Sequence, residues 1–524
     1  MSNTDKQQTD IVILSLPSLI LDRAPGAPAL LKSACLAAGF NAKTIDLSLD
    51  FFNNEGQRDL EKFNKLSLIF HPSTEVSEES KTAKDTWLAR AINTIKELDT
   101  PVVGLSVFTT FQHRAALLLT EEIRKQLPDV KIIVGGMGLN INCTSLSNLI
   151  RINKLEILNP FHVYLKLKNL YDHCVLGVDG LDGIVEYLEK ELGVRNVDKE
   201  QPTEVLKRNQ YSTPIPDYTD YRLDDYLWTD GKALPITGSK GCVRNCTFCD
   251  IPGQFGKFRM RTGKDIGKEI VYMAEKYGIR KFEFTDSLVN GSLKVFEEWM
   301  SVVADYNDQQ TDENKIRWFG QYICRPQKQT AERYYSLMSR SGVSSLVIGT
   351  ESGSNEVLEA MQKKMTVEDV YAELDMFTKH KITAQLLMFS GFYNETKERF
   401  YDTLKFLIKC QQYVASGTIN KFSLGFPLYI TSDTHIYDHA TELGLELDPY
   451  LNHNWTSKDD PDNTFPNRSF NRLIQQELME LLNYPYDATN VATMIQLDQY
   501  LSQTEKELEK ELEKKMESYA KISA

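Results

Sequence analysis

The stretch ALPITGSKGCVRNCTFCDIPG, residues 233–253, reads as one short apolar strand that runs into a loop crowded with thiols. Three of the chain's eight cysteines, Cys242, Cys246 and Cys249, fall inside eight residues there. The other five, Cys35, Cys143, Cys174, Cys324 and Cys410, stand singly in apolar or mixed segments, as reduced core cysteines do. The start, MSNTDKQQTD, is polar and lacks an apolar signal region, so the expected compartment is the reducing cytoplasm. Disulfides are then unexpected, and a tight cysteine cluster points to metal or redox chemistry.

Structural zinc would ask for four ligands, usually as two spaced pairs. No fourth Cys or His lies close by, the nearest downstream histidine being His380. Three thiolates suit an iron–sulfur cluster that keeps one iron open, where ferredoxin-type clusters take four cysteines.

The surroundings of the loop repeat a pattern. After ALPITGS (233–239) come KFEFTD (281–286), IRWFG (316–320), SLVIGTE (345–351), TAQLLMF (383–389) and KFSLGF (421–426), with helical stretches in each gap. Gly278 and Gly342 sit where helices should end. Six strand–helix units predict a partial (β/α) barrel over 232–430, with its chemistry on the loops that follow the strands. The first two hundred residues alternate likewise. Candidate strands at 11–15, 42–46, 102–107, 131–135 and 174–178 are separated by helical runs such as APALLKSACLAAG and HRAALLLTEEIRKQL. That alternation predicts a doubly wound, Rossmann-like domain over 1–195, with 47–100 as a partly helical insertion. A Pro-, Asp- and Tyr-rich connector follows at 196–231, and 431–524 reads as a mixed, mostly helical extension. Its last part places Leu501, Leu508, Leu512, Met516 and Tyr519 at helical intervals, as an amphipathic helix docked on the body would. No run of eighteen apolar residues predicts a membrane span. A net charge of −13 argues against a broad nucleic-acid-binding face, though not against a local basic groove.

With its three cysteines spaced C-x3-C-x2-C after the first strand of a partial barrel, and Phe248 as the aromatic before the last of them, the chain resembles the radical S-adenosylmethionine (SAM) superfamily. The resemblance implies a 4Fe–4S cluster on Cys242, Cys246 and Cys249, with SAM on the open iron. It also implies a 5′-deoxyadenosyl radical and a one-electron donor such as flavodoxin or ferredoxin. GVSSLVIGTESGSNEVLEAMQKK (342–364) resembles the superfamily's fourth-strand segment, which would bring Glu351 and Ser352 to SAM. FSGFYNETKERF resembles its fifth-strand segment, keeping Gly391, Glu395 and Thr396 but carrying Phe392, Tyr393 and Asn394 in place of the usual residues. The usual Gly-Gly-Glu after the second strand is replaced by FTDSLVNGS, where Asp286 and Ser287 are the substitutes expected to grip the SAM ammonium group. Arg259 and Arg261 could neutralise its carboxylate or be solvated loop charges.

A doubly wound domain ahead of such a barrel resembles the cobalamin-binding-domain subclass. The matching segments are Ser15-Leu16-Pro17, VFTT (107–110), VGG (134–136) and LGVDGLDG (176–183). They imply cobalamin contacts at Ser15, Thr109, Gly135, Gly136 and Gly177, with Gly180 alongside. The cobalt-ligating Asp-x-His-x-x-Gly motif is absent from this front domain; Asp433-Thr434-His435 lies past the barrel and lacks the glycine. The subclass implies methylation of an unactivated centre. Three alternatives stay open: radical cyclisation, oxidation or rearrangement without methyl transfer; methylthiolation, which would need a second cluster from Cys35, Cys143 and Cys174; and a non-catalytic scaffold. His453, Trp455 and Arg468 either line a pocket for a small-molecule or peptide substrate or pack a surface loop.

Overall fold

A computed structural model describes residues 8–17, 21–70, 77–109, 112–139, 170–175, 180–195, 210–228, 231–327, 329–432, 434–449, 451–492, 494–496, 498–499 and 502. Two compact units emerge, one within Met1–Val205 and Thr213–Gly231, the other within Leu206–Ser212 and Lys232–Ser502.

The first unit is a five-stranded parallel sheet of β1 (Ile11–Ser15), β2 (Ala42–Asp46), β3 (Val102–Ser106), β4 (Lys131–Gly135) and β5 (His173–Val175), in the order β2-β1-β3-β4-β5. All five residues of β1 are buried, as they must be when both faces of a sheet are covered. Ile11 and Ile13 point to one face, where Val102, Ile133, Cys35, Ile184 and Leu188 pack against them. The last three come from the helices Gly26–Ala37 and Gly180–Leu192. The 47–100 segment folds into the helices Leu47–Asn54, Leu60–Ser67 and Glu78–Leu98, joined by edge-on contacts among Phe51, Phe63, Phe70 and Trp87. Residues 213–228 are docked on this unit rather than strung out as a linker. The buried Lys32 ammonium lies 2.7 Å from Asp220 and 3.3 Å from Asp217, and Tyr226 donates to Asp46 at 2.9 Å.

The second unit is a parallel sheet of β6 (Ala233–Ile236), β9 (Lys281–Phe284), β10 (Arg317–Tyr322), β11 (Val343–Glu351), β12 (Ala384–Met388) and β13 (Ile419–Leu424), hydrogen-bonded in chain order. A seventh strand (Tyr486–Ala488) pairs parallel with β13 and extends the sheet beyond the six expected. Helices fill each crossover, and four of them are capped by Thr262, Ser292, Thr366 and Thr396. Behind β9 and β10, Phe284, Phe296, Trp299 and Trp318 form a closed aromatic cluster. The expected strand 233–239 breaks at Ile236. Ser239–Lys240 (β7) turns away to pair antiparallel with Arg259–Met260 (β8), so the cysteine loop hangs from a two-residue ladder.

Cys35, Cys324 and Cys410 are fully buried core thiols and Cys174 is half-buried, while Cys143 lies outside the described residues. So do Leu501, Leu508, Leu512, Met516 and Tyr519, and the expected terminal helix with them. No helix among the described residues is long and apolar enough to cross a membrane.

Candidate active site

The loop after β6 is held at its centre by Thr247. Its amide donates to Met361 O at 3.0 Å, its hydroxyl to Ala360 O at 3.1 Å, and its carbonyl accepts from Ile436 N at 3.0 Å. Around that anchor Cys246 O accepts from Cys249 N at 3.1 Å, and the Arg244 amide approaches Cys242 Sγ at 3.4 Å. The three cysteines are unpaired and partly exposed. Burial pushes the Cys249 thiol up to about 12, with the charges of Cys246 and Cys242 adding to it. Burial raises Cys246 as well, against the opposing pull of Lys363. Desolvated thiols of this kind ionise when a metal displaces their protons. Among the described residues no three His, Cys, Asp or Glu side chains are arranged around a single ion. Separate irons of a cluster, each taking one thiolate, fit this donor set better than zinc does.

Beside the loop lies a cleft of about 380 Å³ at the carboxyl ends of β11 to β13, lined by Phe248, Glu351, Met388, Phe389, Phe426 and Tyr429. Phe248 stands edge-on to Phe389 at 5.2 Å. Glu351 reaches the cleft by an unusual backbone: φ is +66°, and the pairing with β12 slips by one residue between Gly349 and Glu351. A left-handed non-glycine residue at a bulge re-aims its side chain, and such conformations cluster at functional sites. The Glu351 carboxylate is met by Lys363 Nζ at 3.1 Å, which also lies 5.8 Å from the Phe248 ring centre. Lys363 was not singled out from sequence; the only signal was its place at the end of the segment that carries Glu351.

Several expected contacts fall elsewhere. Ser352 is buried, with its hydroxyl shared with Thr403 of the helix Lys397–Lys409 at 3.1 Å, so it braces that helix and does not line the cleft. Asp286 is buried with both oxygens engaged, by Gly238 N at 2.8 Å and Ser239 Oγ at 2.5 Å. It borders a void of only about 10 Å³, and burial lifts its carboxyl to about 7. Asp286 therefore locks the turn that precedes the cysteines; Ser287, next to it, is half-buried. Arg261 is not a solvated charge: it is buried, paired with Glu269 at 2.5 Å and donating to Thr237 O at 3.0 Å. Arg259 sits in β8, half-buried. Glu395 bonds back to Gly391 N at 2.6 Å and Thr396 caps the following helix, which gives each retained residue of that segment a task in shaping the loop. His453, Trp455 and Arg468 are buried rather than on a surface loop. Trp455 donates to Leu428 O at 3.0 Å, and the Arg468 guanidinium stacks on Trp455 at 3.6 Å, bracing the cleft wall from behind. Sequence reading also passed over Tyr429, whose hydroxyl donates to the buried Asp498 at 2.5 Å; Asp498 in turn accepts from His453 Nδ1 at 2.5 Å.

In the first unit the chain reverses direction across the sheet between β1 and β3, the switch point where doubly wound folds bind ligands. Ser15 and Thr109 flank it. The buried Gln112 ties the two loops: its side-chain oxygen accepts from Phe108 N at 2.6 Å and Thr109 N at 3.2 Å, and its amide donates to Leu16 O at 2.8 Å. Phe108 itself is 58% exposed. At Gly136 φ is +118°, and a Cβ would stand 2.3 Å from Val107 O, so the close approach there is to the chain itself. Gly135 ends β4 half-buried, and Gly180 begins a helix. Gly177 lies outside the described residues.

Residues 236–407 match the radical SAM superfamily. An uncharacterized methyltransferase of Pyrococcus horikoshii is 25% identical over 348 residues, covering 64% of this chain and 70% of the relative. The bacteriochlorophyllide d C-12(1)-methyltransferase of Chlorobaculum tepidum is 24% identical over 265 residues, 49% of this chain and 55% of that protein. Among solved structures, the radical SAM methyltransferase TsrM of Kitasatospora setae, with cobalamin and a [4Fe-4S] cluster bound, superposes with a TM-score of 0.54. Identity is 18% over 84% of this chain and 80% of TsrM, a likeness of fold across both units' worth of sequence.

Proposed function

From the premise that residues 236–407 form a radical SAM domain, we propose that this protein is a radical SAM enzyme that methylates an unactivated centre with the help of cobalamin. The observation that carries the reading is the set of three clustered, partly exposed thiols beside a cleft into which a bulge turns Glu351. When bound, a 4Fe–4S cluster on Cys242, Cys246 and Cys249 supplies the electron that splits SAM into methionine and a 5′-deoxyadenosyl radical. Phe248 and Phe389 give the cleft an aromatic wall, and Glu351 offers a carboxylate to a ribose or an ammonium group. Lys363 compensates the charge of that carboxylate. The apolar wall of Met388, Phe426 and Leu428 excludes water, which a radical intermediate needs. Cobalamin, when bound at the β1/β3 switch point, supplies the methyl group. The exposed Phe108, in the loop after β3, is the described residue that supports a contact there; Ser15, expected from sequence, is buried at 1% exposure. The relatives named as methyltransferases support the transfer, and the TsrM fold supports the two-part architecture.

A second reading, radical chemistry without methyl transfer, draws on Gly136: the approach to Val107 explains this glycine without a flat ligand. Anaerobic reconstitution with iron and sulfide, followed by absorption spectra with and without hydroxocobalamin, separates the two. About four irons per chain, lost in Cys242→Ala, Cys246→Ala and Cys249→Ala, is expected for one cluster. Retained corrinoid bands support methylation, and iron without corrinoid supports the second reading. Absence of iron under every condition refutes both.

A further inference from the structure

Tyr429 lines the cleft of about 380 Å³ that also holds Phe248 and Glu351. Its hydroxyl donates to Asp498 Oδ1 at 2.5 Å. Asn452 Nδ2 donates to the same hydroxyl at 3.1 Å and to Asp498 Oδ1 at 3.3 Å. Asp498 is 1% exposed at its side chain and is not among the residues that line the cleft. Its other oxygen, Oδ2, meets His453 Nδ1 at 2.5 Å, and the His453 ring packs edge-on against Phe465 at 4.6 Å. Oδ2 is thus tethered to a ring held by packing, which fixes Oδ1 as the acceptor for Tyr429. A short bond from a hydroxyl to a carboxylate is roughly twice as strong as one between neutral groups. With Asn452 donating to the phenol oxygen, the one hydroxyl hydrogen has its place at Asp498. The cleft wall therefore contains a phenol whose hydrogen is aimed away from the cleft.

A phenol gives up its hydrogen atom more readily than an alkyl C–H bond does, so a phenol hydrogen facing an alkyl radical is a trap for it. We infer that Asp498 is a positioning residue that keeps Tyr429 from quenching the radical chemistry of this cleft. The inference rests on the radical reading of the same cleft. In the step that Asp498 prevents, the Tyr429 O–H bond breaks and a C–H bond forms at the adenosyl C5′. One proton and one electron travel together, and Tyr429 is left as a neutral phenoxyl radical. An electron leaving Tyr429 alone, with the proton passed to Asp498, does not complete that bond, because carbon needs both at once. Turning the hydrogen toward Asp498 therefore blocks the side reaction while the aromatic ring stays in the wall.

The test has two parts, both on the full-length chain, with Asp498→Ala to remove the acceptor and Asp498→Asn to keep its shape should the first fail to fold. Infrared spectra of protein without a cluster, grown on ring-labelled tyrosine, read the phenol C–O stretch. Subtraction of a Tyr429→Phe spectrum isolates one tyrosine among 24. The band should be that of a strong donor and should shift in the Asp498 variants; an unshifted band overturns the tether. The reconstituted proteins are then incubated with SAM and dithionite in heavy water, without thiols or added substrate, and the 5′-deoxyadenosine is weighed by mass spectrometry. Wild type should give mainly unlabelled product. The Asp498 variants should give mainly singly deuterated product, its deuterium drawn from the exchanged Tyr429 hydroxyl, together with a tyrosyl signal in electron paramagnetic resonance. Adding Tyr429→Phe to Asp498→Asn should return the product to the unlabelled form, a rescue that a merely structural role does not predict. Equal labelling in wild type and the Asp498 variants overturns the inference and leaves the radical reading standing. Absence of 5′-deoxyadenosine from every protein overturns both.

Discussion

Gly391 and Gly417 offer a matched pair in the second unit. Both are left-handed, at φ +79° and +76°. A Cβ at Gly417 meets nothing within 4 Å, whereas at Gly391 it would stand 2.2 Å from Arg468 Cδ and 2.3 Å from Cγ. Arg468 cannot swing aside. It is 1% exposed, donates to Asn463 O at 2.7 Å and His453 O at 2.9 Å, and lies flat on Trp455. Both Gly→Ala changes incur left-handed strain of roughly 1–2 kcal/mol. Gly391→Ala adds overpacking of about 1–3 kcal/mol, because the crowded atoms are pinned side-chain stem rather than a flexible tip. At roughly 2–4 °C per kcal/mol for a domain of 150–250 residues, Gly391→Ala should melt several degrees below Gly417→Ala. The assay is thermal unfolding of the full-length variants by circular dichroism in one buffer. Equal midpoints would refute the argument, since they would mean that the Arg468 stem yields and does not fix the loop after β12.

Other outcomes follow from buried charge. Lys363→Met leaves Glu351 as an unpaired carboxylate with its side chain 14% exposed, and should destabilise by about 3–5 kcal/mol. The Lys363→Met/Glu351→Gln double variant should lose less, as denaturant midpoints will tell; a larger loss would mean that the pair is not what stabilises the site. Burial lifts the Glu395 carboxyl to about 7, above the ordinary value of about 4.3. A folded pKa above the unfolded one means that its contribution is fully present below about pH 4 and is lost as pH rises through about 7. Glu395→Gln keeps an acceptor for Gly391 N and should flatten the stability profile across that window; an unchanged slope would exclude Glu395 as a source of it. Tyr429→Phe removes one donor from Asp498 and should cost about 1.5–3 kcal/mol, read by thermal unfolding, without lowering iron content.

The strand–helix alternation and the C-x3-C-x2-C loop were legible because each is local: burial on both sheet faces writes apolar runs, and thiol spacing is read directly. What sequence hid depends on partners far along the chain. The strand Tyr486–Ala488 has only three residues and pairs by virtue of where the helix Phe465–Leu481 leaves it. Arg261 could be read as a partner for a carboxylate or as a solvated loop charge, because nothing in its neighbourhood reveals that Glu269 will be buried against it. Ser352 and Glu351 are adjacent, yet a left-handed residue and a bulge send one to the cleft and the other to Thr403. Patterns of residue type carry no record of such a backbone reversal. Asp286, expected at a ligand, is a buried acid that accepts from Gly238 N and Ser239 Oγ, partners that spacing alone does not reveal.

The two-residue ladder between β7 and β8 gives the cysteine loop a neck of its own, apart from the seven-stranded sheet. Residues 241–258 can thus open as a separate cooperative unit while the barrel's hydrogen bonds remain closed. Iron loss would then appear as rapid deuterium uptake confined to those amides, with Thr247 the last to yield because it is tied on three sides. The global melting midpoint would hardly register the event. The same neck lets the loop close around its metal after the barrel has formed, so maturation becomes a local folding reaction on a finished scaffold.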